Sequence, residues 1–159
     1  MRDRTPASFQ SHSGHAVVEV SLMAPWIFLL FIAVFDFGFY AYALISTENA
    51  ARVGALYASS GWGAASDGTG VCLQVLPEMR MLPNVGGSTI CSCAGQSCTA
   101  GPIQITTSPM VGASCLEGGA TSQCVRVTVQ YQTIQLFPLP GLAGQMTMRR
   151  VAEASVKTE

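Results

Sequence analysis

The chain has 159 residues, a net charge of −1 and 11% charged residues, well under the roughly 25% of ordinary soluble domains. That length allows one modest domain beside a membrane segment and excludes a second full domain. Eight Lys and Arg stand against nine Asp and Glu without a basic cluster, so nothing in the charge favours nucleic acid as a partner.

Residues 1–13 are short and polar, with Arg2, Asp3, Arg4 and His12, and hold nothing that could bury a core; they read as a leader. Gly14 and His15 follow, then Ala16, Val17 and Val18, and Glu19 stands at the edge of a long apolar run. The run covers residues 20–46 and contains a single charge, Asp36. A bilayer core of about 30 Å needs about 20 helical residues, so the run can cross it with length to spare. At 1.5 Å per residue, Glu19 and Asp36 stand about 26 Å apart, near opposite faces of one bilayer. Each therefore avoids most of the cost of about 2.5 to 3.5 kcal/mol that a carboxylate meets at mid-membrane. Pro25 removes a backbone donor and is expected to weaken or bend the helix. Phe37, Phe39, Tyr40 and Tyr42 form an aromatic group suited to a membrane interface. Asp36-Phe37-Gly38 also spells a kinase magnesium motif, but the chain lacks the Gly-rich and catalytic loops that a kinase requires.

Residues 47–59 continue the helix into water: the segment is Ala-rich, and Glu48 and Arg52 are in the favourable i, i+4 order. Val53, Leu56 and Tyr57 share a face that is expected to dock on the rest of the protein. Gly14 followed by Glu19 resembles the processing site of type IV prepilins. Taken with Asp36, Phe37 and Gly38, and then Asn49, Ala50, Ala51, Arg52, Gly54 and Ala55, the stretch resembles the TadE-like family of tight-adherence pilus pseudopilins. The resemblance implies cleavage after Gly14 by a membrane prepilin peptidase on the cytoplasmic side, with His15 as the new N-terminus. Type IV pilins usually begin with Phe, and His15 departs from that. The resemblance further implies that Glu19 pairs with the freed amine of a neighbouring subunit, a register device in which Pro25 and Asp36 are further assembly candidates; the alternatives are an interfacial Glu19 that merely marks the helix start and an Asp36 that only faces headgroups. Its implied partners are membrane lipid before assembly, the peptidase, other pilin or pseudopilin subunits and the assembly platform.

A secretory signal is the competing reading, since Ala41-Tyr42-Ala43 is a nominal cleavage site; the run, however, exceeds the usual apolar length of about 7 to 15 residues. That reading predicts a soluble cysteine-rich protein beginning at Leu44. An uncleaved single-span anchor with a binding or sensing domain is the other alternative.

Beyond residue 59 the sequence is rich in Gly, Ser, Thr and Pro. Residues 59–70 read as a linker, residues 71–75 as a short strand and residues 82–102 as a loop. The six cysteines, Cys72, Cys91, Cys93, Cys98, Cys115 and Cys124, all follow the apolar run. An even number in a small Gly-rich region reads as a disulfide framework in an oxidising compartment, with connectivity open. Zinc is disfavoured, because paired C-x2-C knuckles are missing and no His follows the cysteines. Residues 103–107 are a candidate strand. Residues 124–132 are the best one, Val125, Val127, Val129 and Tyr131 alternating with Arg126, Thr128, Gln130 and Gln132. A turn at Pro138, Pro140 and Gly141 leads to a return strand opened by Met146 and Met148, with a helical reading of residues 151–157 as the alternative. Arg149 and Arg150 read as a solvated pair.

Catalytic chemistry finds little to work with. Both histidines precede the apolar run, Lys157 is the sole lysine, Asp67 is the sole aspartate after the run, and Glu78 and Glu117 are isolated. A Ser-His-Asp site, a Cys-His site or a glycosidase carboxylate pair therefore has no residues to draw on within the head. No phosphate-cradling Gly motif is present, and no cofactor or metal is expected.

The fold expected is α+β, a long N-terminal transmembrane, pilin-like helix followed by a small antiparallel β-rich, disulfide-stapled extracytoplasmic head. Residues 1–14 are the leader, 15–59 the helix with its span at about 20–46, and 60–159 the head. The location expected is a bacterial inner membrane, single-pass, with the N-terminus cytoplasmic and the head periplasmic or extracellular. The role expected is non-enzymatic, that of a pseudopilin or minor pilin packed through its N-terminal helix.

Overall fold

The computed structural model describes residues 13–87, 90–112, 115, 122–134 and 145–157, with side chains from Val17 onward. Residues 1–12 and the turn at Pro138, Pro140 and Gly141 lie outside the described residues, as does Glu117. Three helices are followed by five strands: α1 (Ser13–Ala58), α2 (Trp62–Ser66), α3 (Gly68–Met79), β1 (Ser92–Ala94), β2 (Ser97–Ala100), β3 (Ile103–Val111), β4 (Gln123–Gln132) and β5 (Thr147–Ser155). The class is α+β, with a long apolar N-terminal helix, a wholly antiparallel sheet and three disulfides. The chain forms two compact units, Met1–Gly38 and Phe39–Glu159, so α1 contributes to both.

In the second unit the sheet is a meander in sequence order, β1-β2-β3-β4-β5. Two-residue turns join β1 to β2 and β2 to β3, the shortest link between antiparallel neighbours, whereas longer connections lead into β4 and β5. Gly95 at φ +63° starts the β1–β2 turn and Gly101 at φ +57° the β2–β3 turn, conformations that a side chain disfavours. On β4 the alternation read from the sequence holds, with Val125, Val127, Val129 and Tyr131 fully buried. Ile103, Ile105 and Thr107 on β3 and Met148 on β5 extend the buried layer. The β4–β5 register opposes Tyr131 to Met148 and Val127 to Ala152. The return strand is therefore β throughout, and the helical alternative for residues 151–157 is set aside. On the sheet's other face Arg126 donates to Glu153 at 3.0 Å across the same two strands.

Three sequence expectations fail between residues 59 and 102. Residues 59–70 are not a linker, because they form α2 and the start of α3. Asp67 caps α3, its carboxylate accepting the Gly70 N–H at 3.0 Å. Residues 71–75 are helical rather than a strand: Val71, Cys72, Val75, Leu76 and Met79 are all buried, the spacing of one helix face. Burial of a 3.6-residue repeat outweighs the weak strand preference of Val71 and Val75. Residues 82–102 are not simply a loop, since the β1–β2 hairpin lies within them, with Cys93 opposite Cys98.

All six cysteines are paired, Cys72 with Cys91, Cys93 with Cys98 and Cys115 with Cys124. The first bond ties α3 to the segment entering β1, the second crosses the β1–β2 hairpin, and the third fastens the approach to β4. Their thiolates are thereby spent, which removes the zinc alternative for Cys91, Cys93 and Cys98.

Candidate assembly helix

Within Met1–Gly38, α1 is apolar on every side. Consecutive residues from Trp26 to Phe31 are exposed, Trp26 at 70% and Phe31 at 67%, as are Leu22 at 68% and Phe37 at 75%. A helix stable in water would confine such residues to one stripe. The described part of α1 is long and apolar enough to cross a membrane. The helix runs unbroken through Pro25.

Glu19 is exposed and shares one face with Val20, Met23, Ala24, Ile27, Phe28 and Phe31, so a carboxylate heads a wholly apolar strip. Asp36 is partly buried two residues before Gly38, where this unit ends. The Gly14–His15 bond falls in the first turn of α1; the side chains of both residues lie outside the described ones.

Within Phe39–Glu159 the helix changes character. Ala43, Ser46, Thr47, Ala50, Ala51, Ala55 and Ala58 are buried, whereas Tyr42, Ile45 and Leu56 are exposed. Small side chains at i, i+3, i+4 and i+7 make a narrow stripe on which another element can lie close. Gly54 marks the tightest approach: a Cβ there would come within 3.0 Å of Val75, 3.1 Å of Val127 and 3.2 Å of Val71. The helix thus presses on α3 and β4 through absent side-chain volume. Thr47 fits the same stripe by donating its hydroxyl to the Ala43 carbonyl at 2.7 Å.

This corrects the docking face expected from the sequence. Leu56 is 69% exposed, and Val53 and Tyr57 are partly buried. Large apolar side chains suggested the contact, but close packing of a helix on a sheet requires small ones. The signal for the contact lies in the spacing of the alanines and Gly54. Tyr57 does pack against the core, and its hydroxyl also donates to Asp67 at 3.1 Å. The Gly70 N–H first, and this phenol second, hold the Asp67 carboxyl below its ordinary 3.8. In the core of the sheet, burial pushes the Tyr131 phenol up while its hydroxyl donates to the Pro83 carbonyl at 3.0 Å.

Ion pairs close the other side of α1. Arg52 donates to Glu48 at 3.1 Å in the i, i+4 arrangement expected, and Arg150 on β5 reaches the second oxygen of Glu48 at 3.7 Å. Arg149 and Arg150 are therefore not an equivalent solvated pair: Arg149 is exposed, while Arg150 is on the strand position opposite Val129.

The motif residues separate by role. Ala50, Ala51, Gly54 and Ala55 form the docking stripe, while Asn49 and Arg52 face outward. No curated protein and no solved structure matches the chain. The family model for TadE-like protein matches residues 14–56, so the resemblance carried by α1, from the apolar strip headed by Glu19 through the small-residue stripe at Gly54, is to the TadE-like family.

Proposed function

We propose that this chain is a pseudopilin or minor pilin of a tight-adherence pilus system, anchored in a membrane by α1 and acting by assembly rather than catalysis. The observation that carries the reading is that the family match over residues 14–56 takes in both the all-round apolar half of α1 and its docking stripe. Apolar residues on every side suit lipid first and neighbouring helices afterwards, so exchanging one for the other costs little burial.

In this reading a prepilin peptidase cuts after Gly14 on the cytoplasmic side, leaving residues 1–14 behind. The new α-amino group is largely protonated at neutral pH. Glu19, on its apolar strip, pairs with that amine on an adjacent subunit and sets the register of the helices, with Pro25 and Asp36 as further contacts. The head, held outside the cytoplasm by its disulfide chemistry, presents its surface to the remaining pilus components and the assembly platform.

The test is the intact mass and N-terminal sequence of the protein taken from its native membrane. A start at His15 supports the reading, and Glu19→Ala is then expected to insert normally and to lose assembly. A chain that retains Arg2 instead supports an uncleaved single-span protein with a binding or sensing domain. A soluble chain beginning at Leu44 overturns both.

A further inference from the structure

Inside the unit Phe39–Glu159, where the apolar run of α1 gives out, a cleft of about 400 Å3 opens between α1 and β5. Its walls are Leu44, Ile45, Glu48, Asn49, Arg52 and Arg150. One carboxylate faces two guanidinium groups, with Glu48 Oε1 3.1 Å from Arg52 Nε and Glu48 Oε2 3.7 Å from Arg150 Nε. The cleft therefore carries an excess of one positive charge. Elsewhere in the unit, Arg126 is compensated by a single acid, its Nε and Nη2 both donating to Glu153.

Glu48 engages both arginines through Nε. The terminal nitrogens of Arg52 remain on a side chain that is 68% exposed, and Arg150, 40% exposed, donates one of its own to the Arg149 carbonyl at 3.1 Å. A guanidinium offers five donors in a planar fork suited to phosphate oxygens. Asn49 lines the same cleft and adds an amide donor. Leu44 and the exposed Ile45, near the end of the apolar run, line the same cleft. Cationic forks above aliphatic side chains are complementary to a phosphate ester attached to acyl chains.

The spacing along α1 agrees. Glu48 and Arg52 stand about 3 and 9 Å beyond Ser46, the end of the apolar run, at 1.5 Å per residue. The headgroup layer on each side of a bilayer is about 5 to 8 Å thick. Arginine side chains reach toward such a layer while their aliphatic stems stay on apolar surface.

We propose that this cleft binds the phosphate of an anionic phospholipid, of the phosphatidylglycerol class, in the leaflet reached by the C-terminal end of the apolar run. The inference rests on membrane anchoring by α1 and adds the lipid that the head selects. Arg52 and Arg150 hold the phosphate, Asn49 donates to it, and Glu48 sets the strength by competing for the same cations.

The experiment uses the full chain in detergent micelles, titrated with phosphatidylglycerol and with phosphatidylcholine of equal chain length, bound lipid being counted by native mass spectrometry. Phosphatidylglycerol is expected to bind preferentially. Arg52→Gln and Arg150→Gln each reduce that preference about fivefold, Glu48→Gln raises it, and Arg80→Gln, outside the cleft, leaves it unchanged. The rise with Glu48→Gln cannot come from a misfolded head. Equal binding of the two lipids, or a preference that survives the double Arg52→Gln, Arg150→Gln variant, overturns the proposal. Displacement of the lipid by millimolar inorganic phosphate overturns the assignment to lipid, as does a double variant that loses self-association while keeping its lipid preference. Failure of the full chain to enter vesicles of any composition refutes the anchoring itself and is read separately.

Discussion

Between Val17 and Gly38, α1 exposes tryptophan, leucine and phenylalanine on every side; between Phe39 and Ala58 the same helix buries alanines, Ser46, Thr47 and Gly54 and turns Tyr42, Asn49 and Arg52 outward. Both halves are helical and both are rich in apolar residues. What separates them is side-chain size. The first half offers bulk in all directions, which asks for a surrounding medium that is itself apolar. The second offers almost no volume along one stripe, which asks for a single close neighbour, and α3 with β4 supplies it. Hydropathy measures the first demand well and is nearly blind to the second.

The comparison can be broken from either end. The largest effect is expected from placing two charges in the first half. Phe28→Arg with Leu30→Arg costs about 5 to 7 kcal/mol of insertion free energy. Carbonate-resistant membrane association should be lost while the purified variant, refolded in a glutathione redox buffer, still forms all three disulfides of the head, as read by thiol labelling. Should the head fail to oxidise correctly in that variant, the two units are not energetically separate.

In the second half the expected effects fall on head stability. Replacing both Cys72 and Cys91 by Ser removes the bond between α3 and the entry to β1, across a sequence separation of 19. Loop-closure entropy puts the loss at about 3 kcal/mol, measurable by denaturant unfolding of the detergent-solubilised chain. Membrane association should be untouched.

Gly54→Leu comes next. The valine methyls that a Cβ alone would meet at 3.0 to 3.2 Å leave no room for an isobutyl group. Overpacking of this kind costs about 1 to 3 kcal/mol, and the helix must lift from α3. The same change at Gly38, where a Cβ meets nothing within 4 Å, should leave head stability unchanged. Equal effects at the two glycines would remove the distinction between the halves.

The smallest effect concerns Asp67. Its folded-state pKa lies below the ordinary 3.8, so the carboxylate stabilises the fold above that value. The contribution is lost as the pH falls from about 3.8 through the lower, folded-state value. An Asp67→Asn variant should therefore show a flatter melting temperature than the parent below pH 4 and differ little in its pH slope above it. A parent whose stability does not fall in that acid window would show that the Gly70 and Tyr57 contacts contribute nothing to the α2–α3 corner.

Much of this was readable from the residues. Alternation in residue type marks β4: Val125, Val127, Val129 and Tyr131 fill the core face, while Arg126 and Gln130 on the other face stay partly exposed and Thr128 there is buried as well. The apolar run is legible in the sequence because no charged residue other than Asp36 interrupts it. The misreadings share a cause. Asp67 looked like linker composition, though its meaning is positional: it caps α3. For Val71 and Val75 the spacing with Cys72, Leu76 and Met79 is what marks the helix face. Arg150 was judged by its neighbour in sequence, yet its partner, Glu48, comes from a different element.

By itself, then, the sequence determined the local demands of the chain: a helix that water would not tolerate bare, strands with one greasy face, and cysteines in a number that could all be paired. Those follow from the chemistry of neighbouring residues and from periods of two and 3.6. The tertiary structure decided which cysteine met which, that α1 lies on α3 and β4 through Gly54 and its alanines, and that Glu48 is shared between Arg52 and Arg150. Such pairings join residues far apart in the chain, and their energies depend on distances and fitted volumes that exist once the elements have packed.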